Sequence, residues 1–312
     1  MHAETGPVIG NTLTVCPFVC IVMQHKRWSL QVERCGLVTV SIVDDFDLAR
    51  IAESGQCFRW TMQVDGSWRI IHAGQCLHIR KEGEWLYSVD CTAEEFEKIW
   101  CPYFDLDTSY SDIRKLIDAE SDPFLAKAAE AERGIRILRQ DPWDMVISFL
   151  ISQNRSIPMI RHSIEALCEE AGEVRTDRQG QKYRTFPTPA GLSRLSEETL
   201  RGVCRLGYRW RYIQAVSRQV DEGSLDLSGM SGQQDDEIRQ ALLQILGVGE
   251  KVACCIMLFG FHRLNTFPVD VWMKRVIENE YPDGYDCSAH QPYNGVYQQY
   301  MFAYYRNQSG RT

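Results

Sequence analysis

The sequence predicts an α+β chain in which a small antiparallel sheet precedes a larger helical region. Two observations carry this. Between about 37 and 90 the apolar residues come in short runs separated by breaks such as Asp65-Gly66 and Glu82-Gly83, the pattern of strands joined by hairpins. After about 105 nearly every apolar stretch has helical spacing. At 312 residues the chain can bury a core in each part. The expected organisation is a poorly ordered N-terminal extension over 1–36, an antiparallel β domain with flanking helices over 37–140, and a helical region over 141–312. Some helices from 105 onward are expected to pack with that last region.

The elements follow in order. Residues 1–36 show no clear period, and "TLTVCPFVCIVM" (12–23) is too short to span a membrane and has no Lys or Arg before it. The segment is either an extension or the product of a start codon assigned too early. "LVTVSIV", "CFRWTMQV", "SWRIIHAG", "CLHIRKE" and "EWLYSVD" read as strands. "DCTAEEFEKIWCPYF" starts a helix capped by Asp90 or Thr92. "DPWDMVISFLISQ" has Asp141 as cap and Pro142 at the first helical position, with Val146, Phe149, Leu150 and Gln153 on one face. The next helix ends at Gly172, and "RTDRQGQKYRTFPTPAG" is a polar, turn-rich connection. Residues 196–223 hold two helices broken near Gly207, and "YNGVYQQYMFAYYRNQ" is an aromatic-rich final helix.

Composition narrows the function. A net charge of −8 argues against a non-specific polyanion binder, so any nucleic-acid role needs a local basic surface. The stretch 201–220 offers one, with Arg201, Arg205, Arg209, Arg211 and Arg218 and no acid. The 12 scattered cysteines contain no CxxC pair, which fits reduced thiols in a cytoplasmic protein. The CPFVC spacing of Cys16 and Cys20 has no downstream partner pair, so no metal site is read there.

Helix 235–246, Gly247-Val248-Gly249 and helix 250–261 form a helix–hairpin–helix. The glycines allow positive φ and leave backbone N–H groups bare where the helix dipole favours an anion such as a DNA phosphate. A plain tight turn would use the same residues. Lys251 lies in the first turn of the second helix on a largely apolar face, with Cys255 and Leu258 as its i+4 and i+7 neighbours. It either snorkels to water or is desolvated, and a desolvated amine near a positive dipole end favours its neutral, nucleophilic form. Asp270, which follows Pro268 and precedes "VWMKRVIE", is either a helix cap or a carboxylate at a pocket rim, placed to stabilise a cation or move a proton. Lysine, aspartate and a phosphate-gripping turn together point to chemistry at a sugar carbon beside a phosphate backbone.

"ILGVGEKVACCIMLFGF…FPVDVWMKRV" resembles the helix–hairpin–helix DNA glycosylase superfamily. With "SGQCFRW" (54–60), "RQDPWDMVISFLISQN" (139–154), "LGYRWRYI" (206–213) and "YQQYMFAYY" (297–305), it resembles more narrowly the 8-oxoguanine DNA glycosylase family, from about Asp44 to Tyr305. The resemblance implies a bifunctional base-excision enzyme acting on duplex DNA that carries 8-oxoguanine. Lys251 would be the nucleophile at C1′, forming a Schiff base before β-elimination nicks the strand, and Asp270 would assist. The base would be flipped out. Gly55 would accept the N7–H that distinguishes 8-oxoguanine from guanine. Cys255 and Phe302 would sandwich the base and Gln298 would read its Watson–Crick edge. Asn154 would fill the gap, Tyr208 would act as a wedge, Arg209 would contact the estranged base, and Gly247 and Gly249 would hold the backbone.

Two positions depart from the eukaryotic pattern and resemble the bacterial branch: Met159 stands where those members carry arginine, and Trp272 where they carry histidine. Modest selectivity for the opposite cytosine is therefore expected. Only Cys287 follows the hairpin helices, so no iron–sulfur cluster, and no cofactor or metal at the site, is expected. The chain is expected to act as a cytoplasmic, nucleoid-associated monomer without membrane contact. The alternatives are a monofunctional alkylbase glycosylase of the same superfamily, which would not need Lys251, and a non-catalytic helix–hairpin–helix DNA-binding protein.

Overall fold

The structure, a computed structural model, describes residues 19–25, 27–33 and 38–309. Seven strands build one antiparallel sheet: β1 (Val19–Gln24), β2 (Trp28–Glu33), β3 (Val38–Ile42), β4 (Trp60–Met62), β5 (Trp68–His72), β6 (Gln75–Lys81) and β7 (Leu86–Val89). Their spatial order is β1-β2-β3-β7-β6-β5-β4. The two-residue period places Trp28 and Leu30, Val38, Val40 and Ile42, and Leu77 and Ile79 in one core with Ile51, Phe96, Trp100 and Phe104.

The sheet begins earlier than expected. Part of the presumed extension, 19–24 and 28–33, forms a hairpin whose second strand pairs with β3 from Trp28↔Ile42 to Val32↔Val38. "VCIVMQ" is continuously apolar or nearly so, which hides the alternation of a strand, whereas Trp28 and Leu30 do alternate inward. Residues 1–18, including Cys16 of the CPFVC pair, lie outside the described residues; Cys20 falls in β1.

A second core is helical. Helix Pro142–Ser152 is buried from Met145 to Ile151 and packs against helix Glu250–Phe259, whose buried run includes Val252, Cys255, Ile256 and Phe259. Tyr110, Ile113, Leu125 and Ile137 already belong to this core, while Leu138 belongs to the sheet's. Arg136, fully buried, joins the two. It donates to Asp44 Oδ2 (3.0 Å) and to the carbonyls of Phe104, Asp45, Asp105 and Thr108, with its guanidinium 4.2 Å from the Tyr110 ring centroid. A buried cation with this many acceptors is satisfied rather than stranded.

The polar connection after Gly172 contains a small antiparallel hairpin, β8 (Val174–Thr176) and β9 (Lys182–Arg184), closed by Asp177 accepting from Gln179 N and Gln181 N. The nine cysteines in the described residues for which a state is given are free, and six of them are buried. Among the described residues no helix is long and apolar enough to cross a membrane.

Candidate active site

The hairpin sits between helices Asp235–Leu243 and Glu250–Phe259. Gly247 has φ +88, and a Cβ there would lie 2.5 Å from Tyr212 Cδ2 and within 2.8 Å of two more ring atoms. Only glycine fits, on both conformational and steric grounds. Gln153 Nε2 donates to Gly247 O at 3.1 Å, tying the turn to the end of helix 142–152. Gly249 differs from the expectation of positive φ. It is extended (φ −104, ψ 179), it caps helix 250–259 without a side-chain hydrogen bond, and the space where its Cβ would lie is open. Its use is to leave the first-turn N–H groups uncovered at the positive end of the dipole.

Lys251 and Asp270 line the same cleft, a cavity of about 860 Å³ that Asn154, Tyr208 and Gly249 also line. Lys251 Nζ lies 5.5 Å from the Phe149 ring centroid, so the apolar helix 142–152 supplies the floor under the amine. One turn on, Cys255 is 3% exposed; burial pushes its thiol up to about 11, against the pull of Lys251, which also hydrogen-bonds it. Asp270 is the N-cap of helix Val271–Glu280, with Oδ1 accepting from Met273 N at 2.9 Å. The cap and pocket-rim readings are thus compatible: the cap bond fixes the carboxylate at the cleft wall.

A second cluster adjoins the first. Gly55 takes φ +83, and a Cβ there would sit 3.4 Å from Phe302 Cε1 and 3.6 Å from Arg306 Nη1. The Arg306 guanidinium lies 5.2 Å from the Phe302 ring centroid and donates to Glu53 O; the charge of Asp270 also reaches it. Burial holds its pKa below the usual arginine range. Gln298, one turn before Phe302, is buried, its Oε1 accepting from Gln299 Nε2 at 3.0 Å.

Asn154 follows helix 142–152 at φ +49, a left-handed position that asparagine tolerates, and is exposed at the cleft. Tyr208 is also exposed, with the Arg209 guanidinium 4.4 Å from its ring centroid. Arg209 requires a correction to the expected basic surface. It is 5% exposed, and its Nε and Nη2 both donate to Gln153 O. Gln153 is the C-cap of helix 142–152; its carbonyl needs a donor, and the arginine supplies it. Arg201, Arg205, Arg211 and Arg218 remain on the surface.

Sequence reasoning assigned no role to Phe149, placed only on one face of its helix, or to Arg306, in the last turn of the final helix. Trp272 and Lys274 also line the cleft, so of the two positions singled out in the sequence Trp272 faces the site; Met159 is 39% exposed.

A glycine-opened helix start, a lysine and an aspartate thus meet at one cleft. Residues 39–146 match the N-terminal domain of 8-oxoguanine DNA glycosylase, and residues 147–286 match the HhH-GPD superfamily of base excision DNA repair proteins. A probable N-glycosylase/DNA lyase of Methanothermobacter thermautotrophicus is 32% identical over 272 residues, 77% of this chain and 84% of that one. The N-glycosylase/DNA lyase of Saccharomyces cerevisiae is 32% identical over 75% of this chain and 68% of its own. The structure of Clostridium acetobutylicum 8-oxoguanine glycosylase/lyase, bound to duplex DNA with cytosine opposite 8-oxoguanine, superposes with a TM-score of 0.80 at 34% identity, covering 88% of this chain and 96% of that one. The chain belongs to the 8-oxoguanine DNA glycosylase family, the N-glycosylase/DNA lyases of base-excision repair.

Proposed function

We propose that Lys251 and Asp270 carry the reaction on 8-oxoguanine in duplex DNA. The observation that bears most weight is that both line one cleft, with the uncovered start of helix 250–259 beside them. Lys251 Nζ, as the free amine, attacks C1′ of the flipped nucleotide. The glycosidic bond breaks and the base leaves with its electron pair, to be protonated. Asp270 stabilises the positive charge that develops on the sugar as that bond lengthens. Ring opening then gives a protonated Schiff base between Lys251 and C1′. Loss of a C2′ proton expels the 3′ phosphate and nicks the strand.

Gly55 offers its carbonyl to the N7–H of 8-oxoguanine; guanine would present a lone pair there and be repelled. Phe302 and Cys255 flank the base and Gln298 reads its edge. Asn154 enters the gap, beside Tyr208. Arg209 supports this wall through Gln153 O and reaches the estranged base only by leaving that bond. The hairpin N–H groups take a backbone phosphate, and Arg201, Arg205, Arg211 and Arg218 add a local positive surface to an acidic protein. All these groups come from one chain, which suits a monomer; with the domains divided at 140, the Gly55 carbonyl would belong to the first part and the lysine to the second.

The test is single-turnover cleavage of a duplex carrying one 8-oxoguanine, by the native chain, Lys251→Gln and Asp270→Asn, with base release and strand nicking followed separately. Loss of both steps in Lys251→Gln is expected. Base release that survives in Lys251→Gln would assign the chain the monofunctional mechanism instead.

A further inference from the structure

We propose that Cys76, His78 and Asp177 form a zinc site that fastens the β8–β9 hairpin to the sheet. Cys76 and His78 are two residues apart on β6, so their side chains leave the same face of the strand. Asp177 comes from the turn between β8 and β9, 99 residues further along the chain. A thiol sulfur, a ring nitrogen and a carboxylate oxygen from the three all lie within 4.8 Å of one another.

The donors are positioned by their surroundings. Asp177 Oδ1 accepts from Gln179 N (3.0 Å) and Gln181 N (2.8 Å), which turns Oδ2 toward the sheet. Oδ2 then lies 3.1 Å from His78 Nε2. That separation is close to the edge of about 3.3 Å of a tetrahedron with bonds of about 2.0 Å, the length of zinc–nitrogen and zinc–oxygen bonds. His78 is 5% exposed and faces Asp177 through Nε2, which makes Nε2 the ligand atom and fixes its direction toward the carboxylate. Asp90, which accepts from His78 N at 3.3 Å, adds negative charge beside the set.

Cys76 and Asp177 also line a cavity of about 200 Å³, with Cys91, Glu95 and Tyr183, roomy enough for a water as fourth ligand. One sulfur, one imidazole and one carboxylate select a borderline transition ion over magnesium or calcium. Binding releases the thiol proton of Cys76 to solvent and leaves a thiolate on the metal.

The role is structural. None of the three residues lines the Lys251 cleft. The hairpin already touches the sheet at its other end, where Arg175 Nη1 and Tyr183 Oη donate to Gly74 O at 2.9 and 3.0 Å. At the tip, Arg178 Nη2 donates to Glu95 Oε2 (2.6 Å) and Gln179 Nε2 to Asp90 Oδ2 (3.4 Å), and a metal at Asp177 strengthens this existing link between the sheet and the helical region that carries the hairpin.

The experiment uses the full chain, stripped with a chelator and titrated with Zn²⁺ against a chromophoric competitor, and in parallel with Co²⁺. One equivalent of Zn²⁺ per chain is expected, with a rise in Tm and, for Co²⁺, a thiolate charge-transfer band. Binding should weaken at least tenfold in Cys76→Ser, His78→Asn and the near-isosteric Asp177→Asn, and stay unchanged in Cys287→Ser, which removes an exposed thiol. Absence of the cobalt–thiolate band in the native chain overturns the proposal without recourse to any variant. Equal Zn²⁺ binding by the native chain and Asp177→Asn overturns it too, and reduces the trio to a histidine–aspartate hydrogen bond beside a thiol.

Discussion

Gly247→Ala and Gly249→Ala separate the two jobs of the hairpin glycines. At Gly247 the added methyl meets the Tyr212 ring at 2.5 Å, from a backbone at φ +88. Holding a non-glycine residue in the left-handed region costs about 1 kcal/mol, and forcing a methyl into a packed neighbour costs about 1–3 kcal/mol. Gly247→Ala is therefore expected to lose about 2–4 kcal/mol, or to push the turn off Tyr212 and break its bond to Gln153. At Gly249 the backbone is extended and the space is empty, so alanine is expected to leave stability within about 0.5 kcal/mol. Its methyl instead crowds the helix start where a phosphate would sit. Urea unfolding, with fluorescence anisotropy on a duplex carrying an abasic analogue, reads both effects. The expected pattern is Gly247→Ala unstable and Gly249→Ala stable but weaker in DNA binding. Equal stability of the two variants, or full DNA affinity in both, would refute the reasoning.

Other outcomes follow from the same geometry. Asp270→Asn retains an oxygen for the Met273 cap, so its melting temperature should hold while the single-turnover rate falls about 100-fold or more. Arg209→Met removes the donors to Gln153 O and should cost about 1.5–3 kcal/mol in urea unfolding, the range for hydrogen bonds from charged groups. Met159 should leave cytosine preference, measured as a rate ratio over the other three bases, below about 100-fold, or about 2.7 kcal/mol. Burial would raise the Asp44 carboxyl, but Arg136 and Ser111 hold it below its ordinary value. A depressed folded value means that this stabilisation is complete above the unfolded pKa of about 3.9 and is lost as pH falls through the folded one. Asp44→Asn should accordingly flatten the acid limb of the stability–pH curve below about pH 4, and at pH 7 cost about 3 kcal/mol for the broken buried pair.

The alternating strands from Val38 onward, the Asp141-Pro142 helix start and the Gly-Val-Gly hairpin were legible because each writes its local rule directly into the residue order. The first hairpin was not, since "VCIVMQ" does not alternate and β1 is recognised only through its pairing with β2. The β8–β9 hairpin escaped because its three-residue strands are short and polar, and a single aspartate sets its turn. Arg209 read as surface because charge usually means exposure, whereas here a helix-end carbonyl takes it indoors. At the site, Lys251 and Asp270 stood out as charges in apolar surroundings. Gly55, Phe302 and Gln298 carry no local signal that they belong to one site; Gly55 and Phe302 come from the two ends of the chain, and that a Cβ on Gly55 would meet the Phe302 ring is visible only in three dimensions. Phe149 lay on the core stripe of its helix, and only the position of Lys251 Nζ gives it a second use.

The central claim is that one particular amine attacks the sugar. Borohydride added during the reaction with an 8-oxoguanine duplex reduces any Schiff base to a stable amine, and peptide mapping of the adduct by mass spectrometry locates the nitrogen. The expected result is a single adduct on Lys251, absent in Lys251→Gln. An adduct on another lysine or on the N-terminus, or base release with no adduct at all, would contradict the account.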